Sequence, residues 1–102
     1  MPYQIDRINP ATTAVIVVDM QNDFVAEGAQ LRSAQAAAMV PTLARTLATC
    51  RERGIRVIYT AHVHRRDGCD MGLYDDLYGP IAERSALVDE TPGSEILSLI
   101  HI

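Results

Sequence analysis

With 102 residues, the chain is long enough for one small domain and no more. A hydrophobic share of 48% suits a packed core and excludes a disordered polymer, and a net charge of −4 argues against a nucleic-acid or anionic-membrane surface. The positive side chains are all arginine, and lysine is absent.

The opening "MPYQIDRINP" lacks the basic start and apolar core of a signal peptide, and no apolar run approaches the roughly 20 residues of a membrane span. Cys50 and Cys69 make neither a disulfide framework nor a C-x-x-C pair, so a cytoplasmic protein is expected. "AVIVV", residues 14–18, predicts a strand. Its run is continuous and β-branched rather than alternating, the mark of a central parallel strand buried on both faces. The strand ends on Asp19. Residues 20–34 read as a loop that turns at Gly28.

Met39, Val40, Leu43, Leu47 and Cys50 then recur at helical spacing, among alanines that favour helix. Pro41 constrains the start of this helix, because proline is tolerated only near the first turn or at a kink. Arg51 and Arg53 suit the negative end of its dipole, and Gly54 is the expected stop. "IRVIYT", residues 55–60, predicts a second strand and completes a βαβ unit with a right-handed crossover.

Residues 61–80, "AHVHRRDGCDMGLYDDLYGP", read as a long polar loop leaving the end of that strand, of a length usually functional or mobile. Residues 81–97 are expected to hold a short helical turn and a turn at Thr91-Pro92-Gly93, with Ser94 as the cap of a helix that the fragment cuts off. The chain ends on "EILSLIHI" with no cap or polar tail. Residues 97–102 look like the in-frame translation of a transposon end used in sequencing libraries. Native sequence is therefore expected to end near Ile96, with 97–102 an adapter-derived tail.

In open parallel α/β sheets, ligands bind beyond the C-terminal ends of the strands. Asp19 stands at such an end, where a carboxylate can serve as general acid or base, or can simply cap the following turn. Gln21 and Asn22 are read as fixing the loop through side-chain to backbone hydrogen bonds. Asp23 is read as a turn cap or an arginine partner, and Phe24 as an apolar pocket wall.

His62 and His64, two apart where the chain leaves the second strand, are read as lining a substrate pocket or as structural, in preference to binding metal. Arg65 and Arg66 can grip a substrate carboxylate bidentately, or stand as solvated loop charges. Cys50 falls on the apolar helix face as a small hydrophobe. Cys69, between Asp67 and Asp70, has acidic company that discourages a thiolate nucleophile. Neither a metal nor a cofactor is assigned.

"AVIVVDMQNDF" resembles the first motif of the isochorismatase-like cysteine hydrolases. That superfamily includes nicotinamidases, N-carbamoylsarcosine amidases, ureidoacrylate and biuret amidohydrolases, and isochorismatases. "YTAHVHRRDGCDMG" and "TPGSEI" resemble its next blocks in the same order, so the likeness covers nearly all of residues 1–96. It implies an α/β fold: the N-terminal part of a three-layer α/β/α Rossmann-like domain with a parallel sheet, truncated.

The resemblance also implies an Asp-Lys-Cys triad, with the acid at Asp19. The carboxylate takes the thiol proton, the thiolate attacks an amide carbonyl, and the lysine steadies the charge. Backbone amides hold the oxyanion and water releases the acyl group. In the family the lysine and cysteine lie C-terminal to the TPG block. A chain without lysine cannot hold the triad, so these residues read as an inert N-terminal fragment.

Some nicotinamidases bind a metal through Asp-x-His, where this chain has His62-Val63-His64. The implied partner is a small amide or ureido substrate, and the implied full-length form is a homo-oligomer. One alternative is vinyl ether hydrolysis of the isochorismatase type by the acid alone. Another is a binding module or inert fragment. A phosphoryl-accepting aspartate is disfavoured, because Gln21 occupies the place of the second acid that chemistry needs.

Overall fold

In the computed structural model, residues 5–74 and 79–100 are described. The β-branched run forms β1 (Ala14–Val18), and the second apolar run forms β2 (Arg56–Thr60). The two pair in parallel, with Ala14 opposite Arg56 and Val18 opposite Thr60. Between them lies one long helix, α2 (Ala34–Glu52), preceded by a four-residue helix, α1 (Asn22–Val25). The sequence reading of 20–34 as loop throughout is corrected by α1, a single turn too short to leave a periodic signal.

α2 begins earlier than the apolar spacing suggested. Ser33 caps it, its hydroxyl oxygen accepting the Ala36 N–H at 3.2 Å. Pro41 therefore sits inside the helix rather than in its first turn. It removes the donor that the Ala37 carbonyl would accept. Flanking alanines and the burial of Val40 and Leu47 offset that loss. Leu43 and Cys50 are half-buried on the same face, whereas Met39 points largely to solvent. Gly54 ends the helix with φ +76, and the Ile55 N–H closes back on the Cys50 carbonyl at 2.8 Å.

Period-two geometry gives the sheet two faces. Val15, Val17, Val57 and Tyr59 turn toward α2 and join a core with Met20, Val25, Val40, Leu47 and Ile100. Ile16, Val18 and Ile58 turn the other way and are 58%, 63% and 40% exposed. The expectation that β1 is buried on both faces is thus corrected. Among the described residues one helix covers one face, and the continuous apolar run leaves the other open to water.

Past β2 the chain makes a bridge, His64 to Val88, and a helical turn at Gly79–Ala82. Met71, Ile81, Ala86 and Leu87 bury themselves as a second, smaller cluster against Phe24 and Leu31. Ser94 ends a 3-10 turn, Pro92–Ser94, and its hydroxyl donates to the Thr91 carbonyl at 3.0 Å. Among the described residues no α-helix follows it. Leu97 N–H donates to the Met20 carbonyl, and a last 3-10 turn, Ser98–Ile100, buries Ile100. The Ile100 carbonyl accepts from Tyr59 Oη at 2.6 Å, and Arg51 bonds the same hydroxyl. No helix among the described residues is long and apolar enough to cross a membrane.

Candidate active site

Parallel pairing brings the C-terminal ends of both strands together, and Asp19 stands there in a left-handed backbone conformation, φ +55. Aspartate is among the few side chains that tolerate this region, and such outliers gather at functional sites. The Asp19 N–H donates to the Thr60 carbonyl at 3.2 Å, and the Thr60 hydroxyl donates to Asp19 Oδ1 at 2.8 Å. One carboxylate oxygen is thereby oriented by β2, and Oδ2 is the oxygen not engaged by Thr60. Asp19 itself is half-buried.

The reversal at Asp19 drives Gln21 fully inside. Its amide nitrogen donates to the carbonyls of His62 (3.0 Å) and Ser94 (2.8 Å), while its oxygen accepts the His62 N–H at 2.8 Å. A buried amide with both ends paired is a rigid joint, since leaving any of these groups bare would cost free energy. Asn22 adds a bond from its side-chain amide to the Pro92 carbonyl at 2.7 Å. The reading of Gln21 and Asn22 as loop-fixing side chains matches this arrangement, although they bond distant segments rather than their own loop.

Asp23 Oδ2 accepts the Leu87 N–H at 2.6 Å. It is neither a cap of its own turn nor an arginine partner here, but an anchor for the 86–88 segment. Gly93 lies so close that a Cβ there would sit 2.2 Å from the Asp23 carboxylate.

Phe24 and His62 line an open cavity of about 210 Å³ with Leu31, Tyr74, Ile81 and Leu87. His64 is buried beside it. Its Nε2 lies 2.9 Å from His62 Nε2, and both rings meet Tyr74 edge-on. The His64 backbone is bolted to the 87–89 segment by bonds to Leu87 and Asp89. Among the described residues no group of three His, Cys, Asp or Glu is placed to hold a metal ion.

Arg65 is exposed and outside the cavity lining, its guanidinium 3.8 Å from Cys69 Sγ. That contact holds the Arg65 guanidinium above its usual range. The Cys69 N–H donated to Asp67 holds that carboxyl below its own. Arg66 bonds the Asp89 and Glu90 carbonyls and lies 3.7 Å from the Glu90 carboxylate. Cys50 is half-buried on α2 and Cys69 is exposed.

Thr60, Leu31, Tyr74 and Leu87 were not singled out from sequence. For Thr60 a signal existed: parallel strands ending level must set their last residues side by side. A larger cleft of about 380 Å³ lies at the opposite ends of the strands around Thr12, Thr13 and Arg56, and its lining holds none of the candidate catalytic or substrate-binding residues.

Residues 13–101 match the isochorismatase domain model. A protein of Arabidopsis thaliana named "Probable inactive nicotinamidase" is 42% identical over 90 residues, 88% of this chain and 46% of its own length. The crystal structure of a cysteine hydrolase from Pseudomonas syringae superposes with a TM-score of 0.81 at 34% identity, over 98% of this chain and 47% of that one. An isochorismatase family protein from Desulfovibrio vulgaris gives a TM-score of 0.69 at 35% identity, over 87% and 46% of the two chains. The chain spans about half the length of the relatives it matches.

Proposed function

The chain belongs to the isochorismatase family, and from that premise we propose that Asp19 is the acid–base residue of a cysteine-dependent hydrolase of small amides or ureido compounds. The observation that carries this reading is the posture of Asp19. It sits at the joined ends of two parallel strands, in a conformation most side chains avoid, with one oxygen held by Thr60.

A carboxylate so oriented can draw the proton from a thiol and return it to the departing nitrogen. The thiolate adds to the carbonyl carbon, the C–N bond breaks as the nitrogen takes the proton, and water cleaves the thioester. The lysine of the family's triad is not among these 102 residues, and neither Cys50 nor Cys69 is bonded to Asp19. Both partners are therefore assigned to sequence outside the chain.

The test is ammonia release from nicotinamide, biuret and N-carbamoylsarcosine by the whole protein that carries these residues, with and without prior alkylation by iodoacetamide. Turnover abolished by alkylation supports the proposal. Turnover that survives it rules out a thiol nucleophile and favours chemistry by the acid alone. The Arabidopsis relative's name, with its word inactive, supports a second reading, a protein that keeps the fold without turnover. Saturable binding of an amide with no ammonia release would select it.

A further inference from the structure

We propose that Asp70, His64 and His62 form a proton relay that keeps His62 as a proton acceptor at the wall of the cavity lined by Phe24 and Leu87. The relay uses neither Asp19 nor a thiol, so it goes beyond the hydrolytic reading and is tested apart from it.

The backbone sets the two rings side by side. Residues two apart on an extended chain point the same way, and both are bolted down here. The His62 N–H and carbonyl bond the Gln21 side-chain amide, and the His64 N–H and carbonyl bond Leu87 and Asp89. Tyr74 meets both imidazoles edge-on, with ring centroids 5.5 Å and 5.3 Å away. His62 lines the cavity, His64 is buried beside it, and the Asp70 side chain is 42% exposed. The three residues thus lead from the cavity to water.

The contacts order the protons. Facing Nε2 atoms at 2.9 Å hold one proton between them, with one ring donating and the other accepting. Asp70 decides which. Its Oδ1 accepts the Arg65 N–H at 2.9 Å and lies 3.8 Å from His64 Nδ1. That is too far for a hydrogen bond, but the carboxylate's field favours a proton on the nearer ring nitrogen. His64 then carries Nδ1–H, its Nε2 is a lone pair, and His62 donates Nε2–H to it. The lone pair of His62 is left on Nδ1. Among the described residues, other charged side chains around the pair bond elsewhere. Arg65 bonds Cys69, Asp67 accepts the Cys69 N–H, Arg66 bonds the Asp89 and Glu90 carbonyls, and Asp23 accepts the Leu87 N–H.

A proton taken from the cavity joins His62 Nδ1. The Nε2 proton of His62 passes to His64 Nε2, and His64 becomes an imidazolium facing the Asp70 carboxylate. Positive charge leaves the cavity wall and is held as an ion pair. His64 and Asp70 are positioning residues, and His62 is the group at the cavity.

The experiment is NMR of the whole protein that carries these residues, labelled with 15N-histidine and assigned through His62→Gln and His64→Gln. At pH 8, where imidazoles are ordinarily neutral, His64 is expected in the Nδ1–H form and His62 in the Nε2–H form. On acidification the first proton should appear on His64, with His62 changing to Nδ1–H. Asp70→Asn keeps an oxygen for the Arg65 N–H but removes the charge, and is expected to shift His64 toward the Nε2–H form. Wild-type His64 found in the Nε2–H form overturns the relay, and a first proton retained on His62 overturns its transfer to His64. Wild-type tautomers in Asp70→Asn would remove Asp70 as the residue that orders them.

Discussion

Removing the side-chain amide of Gln21 should do more damage than removing any single charged group. Gln21→Met keeps length and approximate volume, so the cavity term is small. It strips partners from three backbone groups: the His62 N–H at 2.8 Å, the His62 carbonyl at 3.0 Å and the Ser94 carbonyl at 2.8 Å. Each buried group left bare costs about 1–3 kcal/mol, so the loss should reach about 3 kcal/mol at the least. In a domain whose whole stability is about 5–15 kcal/mol, that corresponds to a fall in Tm of about 12 °C or more.

Gln21→Glu separates hydrogen-bond direction from packing. A carboxylate can still accept the His62 N–H, but its other oxygen faces two carbonyls. Ionisation is disfavoured in the folded state, so the folded pKa of the introduced acid lies above its unfolded value of about 4.3. The variant's stability is then fully present below the unfolded pKa and lost as pH rises through the folded pKa. Its deficit relative to the wild type should widen from pH 5 to pH 8. Thermal denaturation of the three proteins at both pH values reads this directly. A fall under about 3 °C for Gln21→Met, or a Gln21→Glu deficit that does not grow with pH, would refute the joint.

Gly93→Ala places a Cβ 2.2 Å and 2.5 Å from the two Asp23 oxygens, displacing a carboxylate already held by the Leu87 N–H. A loss of about 1–3 kcal/mol is expected in urea titration, and an unchanged midpoint would show that the turn relaxes freely. Thr60→Val should cost about 1 kcal/mol by removing the donor to Asp19 Oδ1, with Thr60→Ser recovering most of it. A loss in Thr60→Ser as large as in Thr60→Val would show that the hydroxyl bond to Asp19 is not what distinguishes the variants. Ile16→Lys combined with Val18→Thr should reduce self-association of the 102-residue chain in light scattering, because both residues lie on the open sheet face. Unchanged association would move the contact elsewhere. The chain alone should release no ammonia from small amides, since it has no lysine to complete the triad.

The βαβ frame was readable because its signals are long. The run at 14–18, the five-residue face around Leu47 and the apolar 55–60 segment each span enough residues to show their period. Gly54 was readable because a helix end demands φ > 0 there. Short features were not. α1 is one turn, and Pro41 inside α2 contradicts local propensity, with tertiary burial of Val40 and Leu47 prevailing.

The open sheet face also eluded the pattern. A continuous apolar run says which surfaces are averse to water, not whether anything arrives to cover them. In the site, Asp19 and Gln21 stood out because a continuous apolar run leads straight to them. Tyr74 and Leu87 depend on contacts between separate segments, 64 residues apart for Leu87 and Asp23, which no local window contains. Arg65 was singled out by charge alone, and its actual partner, Cys69, is a neighbour in the loop.

The most direct measurement is the rate of ammonia release by the whole protein carrying Asp19→Asn, alongside its melting temperature. Asparagine keeps the shape and can still accept the Thr60 hydroxyl, but it cannot take a thiol proton. A fall of about 10²–10⁴-fold in turnover with an unshifted Tm is the expected result. Near wild-type turnover in that variant would contradict the assignment of Asp19 as the reacting acid.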